Sequence, residues 1–97
     1  MKEEIQYTKV TPNTVEQNRF ISIDDFKDCV NRGGEINFEW NSKEYWITQP
    51  EKIIIYKPYK TETDGEFNTV DELLDHELDG EPLRKIVMKL EVWDRTI

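Results

Sequence analysis

Apolar residues recur at two periods along this chain, and the change from one to the other marks its elements. Ile23, Phe26 and Val30 follow a helical spacing. Ser22 stands where it caps that helix, Asp24 and Asp25 suit its positive end, and Gly33-Gly34 stops it. The pattern predicts a helix over 23–32, with Ile21 and Phe26 as a hydrophobic staple. The period then shortens to two. Ile36, Phe38 and Trp40 alternate with Glu35, Asn37 and Glu39, as in a half-buried strand.

Asn41-Ser42 reads as a two-residue hairpin turn. That loop sets Trp40 opposite Lys43, Phe38 opposite Tyr45 and Ile36 opposite Ile47, so the apolar residues share a face and Trp46 falls on the other. Gln49-Pro50-Glu51 turns the chain into a third strand over 52–57, which Pro58 ends. Asp64-Gly65 signals another turn, with a short strand expected over 66–68. Thr69 and Glu72 form a capping box for a short helix whose inner side is Val70, Leu73 and Leu74, broken at Asp79-Gly80. Pro82 suits the first turn of a last helix, in which Leu83, Ile86, Val87, Leu90 and Trp93 bury one stripe. Ile5 and Tyr7 alternate weakly, so residues 1–19 are either a loose arm or an edge strand.

These elements predict a single α+β domain over 20–97. Its expected form is a three- to four-stranded antiparallel sheet with two to three helices packed on one face. A chain of 97 residues carries one core. The longest apolar run, 53–56, is far too short to span a bilayer, and Met1-Lys2-Glu3-Glu4 lacks the apolar stretch of a signal peptide. A single cysteine, Cys29, excludes an internal disulfide framework. The expected location is the cytoplasm.

Charge changes the picture more than composition does. Of 21 acids and 13 bases, the segment 61–83 holds nine acids and no Lys or Arg. The formal net charge of −8 therefore belongs to one region. Such a surface repels nucleic acid and anionic membrane and attracts basic proteins. Its plain reading is a solubilising face. The sharper one is imitation of a nucleic-acid backbone, with Asp71, Asp75 and Asp79 spaced i, i+4, i+8 about 6 Å apart if the helix carries through, although Gly80 interrupts the last step.

Catalytic signals are weak by comparison. His76 stands alone among acids and offers no converging metal ligands, so no metal or cofactor is expected. Cys29 lies beside Val30 on the inner stripe of its helix, where a cysteine packs as a small hydrophobe. No phosphate-cradling loop or nucleophile motif occurs, and the chain does not read as an enzyme. The many aromatics would suit nucleic-acid stacking only beside a basic groove, so their first role is the sheet core. Trp46 and Tyr59, if exposed, would suit protein-interface anchors.

At Phe38-Glu39-Trp40-Asn41-Ser42-Lys43-Glu44-Tyr45, at Val70-Asp71-Glu72-Leu73-Leu74, and at Asp79-Gly80 with Leu83, the chain resembles short uncharacterised proteins of Gram-positive phages and mobile elements. The likeness covers about 20–93, with Ser42 standing where such hairpins carry Gly. In size and charge it is similar to anti-CRISPR proteins, several families of which occupy the nucleic-acid channel of a nuclease. The resemblance implies a small inhibitor that binds the basic surface of a nucleic-acid-handling protein, such as a CRISPR nuclease, and not nucleic acid itself. The expected partner-binding residues are Glu62, Asp64, Asp71, Glu72, Asp75, Glu77 and Asp79, with Trp46 and Tyr59. The alternative is a non-enzymatic adaptor or structural module that uses its sheet edge or its Trp46–Tyr59 surface.

Overall fold

The computed structural model describes residues 14–60 and 62–96. The expectation for Ile5 and Tyr7 lies outside them. The segment next to it, Val15–Asn18, is one helical turn, α1, closed by a capping box between Thr14 and Gln17. The alternation expected of an arm or edge strand does not extend into it.

Helix α2 spans Ile23–Asn31, and the Ser22 hydroxyl accepts a hydrogen bond from the Asp25 amide at 3.0 Å, as the sequence suggests. The staple does not form. Ile21 points to solvent at 83% exposure, and its neighbour Phe20 packs edge-on against Phe26 with ring centroids 5.1 Å apart. Burying Phe20 removes the larger apolar surface from water, so it takes the inner position.

Helix α2 ends in a Schellman motif. The Gly34 amide donates to the Cys29 carbonyl at 2.9 Å, and the Gly33 amide, at φ +82°, donates to the Val30 carbonyl at 3.0 Å. A Cβ on Gly34 would lie 2.7 Å from both the Cys29 carbonyl oxygen and its Sγ. Because one of those atoms is backbone, Gly34→Ala is expected to lower stability by about 1–3 kcal/mol, read as a lower urea midpoint with unchanged slope.

The meander follows the expected register. Strands β1 (Ile36–Trp40) and β2 (Lys43–Thr48) pair Ile36 with Ile47, Phe38 with Tyr45 and Trp40 with Lys43. Asn41 and Ser42 both take positive φ, +52° and +63°, as a tight hairpin whose turn matches strand twist requires. β3 (Ile53–Tyr56) and β4 (Thr63–Phe67) continue the antiparallel order.

Asp64-Gly65 is not a turn. It lies inside β4, which begins earlier than the expected 66–68. A register shift at this point sets Gly65 opposite Ile55, and a Cβ on Gly65 would stand 2.7 Å from the Phe67 ring. Glycine here makes room for an aromatic ring, a use of the residue that resembles a turn signal in sequence.

Two further expectations are corrected near the C-terminus. Helix α3 covers Val70–Leu74 with the capping box of Thr69 and Glu72 in place, but it stops there. Asp79-Gly80, at φ +54° and +87°, forms the tip of a small hairpin of β5 (Glu77–Leu78) and β6 (Glu81–Pro82). The last helix, α4, spans Leu83–Ile86 and tightens into a 3₁₀ turn over Val87–Lys89. The chain is already extended at Leu90, and Glu91–Arg95 is a strand, β7, with Val92 buried opposite Phe38. Trp93, expected on the buried stripe, is 52% exposed. Helical spacing holds through Leu90, but pairing β7 with β1 satisfies a strand edge that a longer helix would leave open.

Among the described residues the sheet has five antiparallel strands in the order β4-β3-β2-β1-β7, with four short α-helices, one element more of each kind than the upper end of the expectation. Residues from α2, α3 and α4 form one core with Ile36, Phe38, Tyr45, Ile47, Ile55 and Val92. The opposite face is built from Asn37, Glu39, Glu44, Trp46, Thr48, Ile54, Tyr56, Glu66, Glu91 and Asp94, and none of these is buried. Among the described residues no helix is long and apolar enough to cross a membrane.

Candidate functional site

Folding supplies the acidic segment with the bases its sequence lacks. Asp71 on α3 meets Lys27 of α2 at 3.3 Å. Asp75, the last residue of that turn, accepts from Arg84 through Nε at 3.0 Å and through its terminal nitrogen at 2.9 Å. Asp79 at the β5–β6 tip accepts from Lys43 at 2.7 Å and from Asn41 at 3.3 Å. Asp64 accepts from Lys57 at 3.1 Å and lies 2.8 Å from Nε2 of His76.

Glu72 is committed to its capping box, accepting from the Asn68 amide at 2.8 Å and the Thr69 amide at 3.3 Å. Glu62 and Glu77 stay exposed without a cation among the described residues. The row of Asp71, Asp75 and Asp79 on one helix does not exist, because α3 ends at Leu74 and Asp79 belongs to a hairpin.

These pairs shape the titration of the segment. Burial pushes the Asp64 carboxyl up, but hydrogen bonds from His76 and Lys57 outweigh it and hold the group below its ordinary value of 3.8. Asp79 is held below 3.8 by the hydrogen bonds from Lys43 and Asn41, and the same contact with Asp79 raises Lys43. A carboxyl depressed in the folded state adds stability above its unfolded value that is lost as pH falls through the folded one. Asp64→Asn is therefore expected to cost under about 1 kcal/mol near pH 7. The gap between variant and wild type should close as pH drops below 3.8, followed by chemical denaturation across that range.

The candidate aromatics separate. Tyr59 sits in the turn after β3, 64% exposed. Trp46 lies on the open face of the sheet, half-buried, with its ring 5.9 Å from Tyr56 in an edge-on pair and its indole N–H donating to Glu44 Oε2 at 2.7 Å. Cys29 is buried in α2, away from the surface. Among the described residues no group of three or more His, Cys, Asp or Glu is placed to hold a metal ion.

A second acidic surface surrounds Trp46. Glu44, Glu39 and Glu91 stand directly opposite one another across β2, β1 and β7. Directly paired side chains lie about 4.5–5.5 Å apart at Cβ, and like charges so placed repel. Glu66 and Asp94 face the same way, and among the described residues no strand residue on this face is basic. Of these five, none pairs with a cation among the described residues; Lys89 lines a hollow with Glu39 and Glu91 but forms no ion pair with either. The signal for Glu39 and Glu44 is the hairpin register itself, which puts them in a direct pair. Glu91 and Asp94 were hidden by the helical spacing that precedes them. Compared with family models, with curated proteins and with solved structures, the chain gives no match.

Proposed function

We propose that this protein is a small acidic inhibitor that acts without catalysis, by binding a basic surface on a nucleic-acid-handling protein. The observation that carries the reading is the unrelieved row Glu44–Glu39–Glu91. Three carboxylates held in register across three strands repel one another, and among the described residues no cation pairs with any of them, although Glu44 accepts a hydrogen bond from the Trp46 indole. A strand needs polar residues on its solvent side, but not like charges in direct opposition. A basic partner removes that repulsion when it binds, which turns a cost of the free protein into affinity for the complex.

The acids of 61–83 contribute differently from what their sequence suggests. Asp64, Asp71, Asp75 and Asp79 lie next to Lys57, Lys27, Arg84 and Lys43, so their field is largely local. Glu62 and Glu77 add to the long-range charge of −8 that speeds encounter with a basic partner. The partner class is one whose basic groove serves DNA or RNA, a CRISPR nuclease being one example, and the protein competes with that nucleic acid in the cytoplasm. The experiment is capture of the partner by the immobilised protein, with nucleic acid as competitor.

A second reading, an adaptor module, expected to use Trp46 and Tyr59, draws instead on Trp46 with its half-buried neighbour Tyr56 on the open face of the sheet, a pair that could anchor a neutral partner. The two readings differ in salt dependence: capture of a basic partner weakens as salt rises, and an aromatic-anchored neutral complex does not.

A further inference from the structure

The open face of the sheet has an apolar centre as well as charge. Trp46 and Tyr56 stand opposite each other on β2 and β3, and Ile54 continues outward along β3, paired with Thr48 and Glu66. We propose that this face docks an arginine-bearing segment of the partner protein, the aromatic pair and Ile54 taking the side-chain stems and the outward glutamates taking the guanidinium groups. The inference rests on the basic-partner reading and assigns it a sheet face that shares only two acids, Glu62 and Glu66, with the acidic segment.

The shape of the face fits that occupant. Two hollows flank Ile54. One, of about 360 Å³, is bounded by Thr48, Tyr56, Thr63 and Glu62; the other, of about 440 Å³, by Pro50, Glu51 and Glu66. Each therefore places a carboxylate at the side of an apolar floor, which suits a side chain with an aliphatic stem and a cationic head. Each also takes in one lysine, Lys60 and Lys52 respectively. Neither lysine forms an ion pair with a glutamate of its hollow among the described residues, and the five outward strand acids set the sign of the whole face. Arginine fits better than lysine because its planar head both stacks on an aromatic ring and grips a carboxylate with two donors. A second copy of this chain would bring the same glutamates against themselves.

The test uses the full chain, labelled with ¹⁵N, and a synthetic octapeptide alternating arginine with threonine, at low salt. A twin peptide with glutamate in place of arginine serves as control. The expected result is that amide shifts induced by the arginine peptide concentrate on 44–48, 54–56 and 66, with none from the control. Trp46→Ala should weaken binding about tenfold, and Ile54→Thr, which keeps a β-branched residue in the strand, should weaken it as well.

Shifts confined to 64 and 71–81, with affinity untouched by either variant, would overturn the assignment of this face while leaving a basic partner in place. Shifts on the face that grow with protein concentration alone would give it to a second copy. No shift with the arginine peptide at millimolar concentration would overturn both the surface and the basic-partner reading.

Discussion

Replacing Glu39, Glu44 and Glu91 together with glutamine is expected to make the protein more stable and less able to bind. Glu39 faces a like charge on both sides, so the substitution removes two repulsive pairs. Cross-strand pairs are worth about 0.2–1 kcal/mol each, which puts the gain at about 0.5–2 kcal/mol. For a domain of this size that raises Tm by about 2–10 °C at low salt. Screening removes most of the difference near 1 M salt, where the Debye length is about 3 Å. The Trp46 indole keeps an acceptor, because a glutamine carbonyl replaces the Glu44 oxygen it uses. Against the proposed basic partner the same variant should lose about tenfold in affinity. Thermal melts at two salt concentrations, beside binding by calorimetry, check both halves. A less stable triple variant would mean that the row is relieved in some other way.

Truncating Phe38 has the largest expected effect on folding. It lies at the centre of β1, fully buried, stacked on Tyr45 at 5.4 Å and paired on its other side with Val92. Phe38→Ala leaves a cavity under three strands and is expected to cost about 3–5 kcal/mol. A domain of 97 residues has about 5–15 kcal/mol in all, so the variant stands near the edge of folding. Circular dichroism should show Tm lower by about 15 °C or more. A fall of under about 5 °C would mean that the helices collapse into the space, and that the core is looser than its packing indicates.

The hairpin was legible because two signals agreed. Alternation in 36–40 and 43–48 sets the faces, and a two-residue turn permits one register, in which Phe38 meets Tyr45. The caps at Ser22 and Thr69 were legible for a local reason, since each bonds an amide three residues away. What stayed hidden depends on distant partners. Leu83, Ile86, Val87 and Leu90 keep a helical spacing and are all buried, yet Val92 must pair with Phe38, and that need is set by β1. Asp64-Gly65 reads as a turn because nothing in its neighbourhood shows that the Phe67 ring needs the glycine's space.

The candidate site shows the same division. Trp46 was placed on the outer face by parity alone, and that is where it lies. The base-free run 61–83 appeared to be one continuous negative surface because charge was counted along the chain. In space Lys27, Lys43 and Lys57 come from other elements and stand beside Asp71, Asp79 and Asp64. The unrelieved acids come from four strands, and Glu39 and Glu91 are 52 positions apart in sequence, a pairing that no local pattern reveals.

The most direct test of the central claim is capture from host lysate by the immobilised protein, with bound proteins identified by mass spectrometry, in the presence and absence of excess DNA and RNA. A basic nucleic-acid-binding protein, held at low salt and displaced by nucleic acid or by high salt, is the predicted result. A neutral partner that stays bound at about 1 M salt, where exposed charges are screened beyond about 3 Å, and that ignores added nucleic acid would contradict the account.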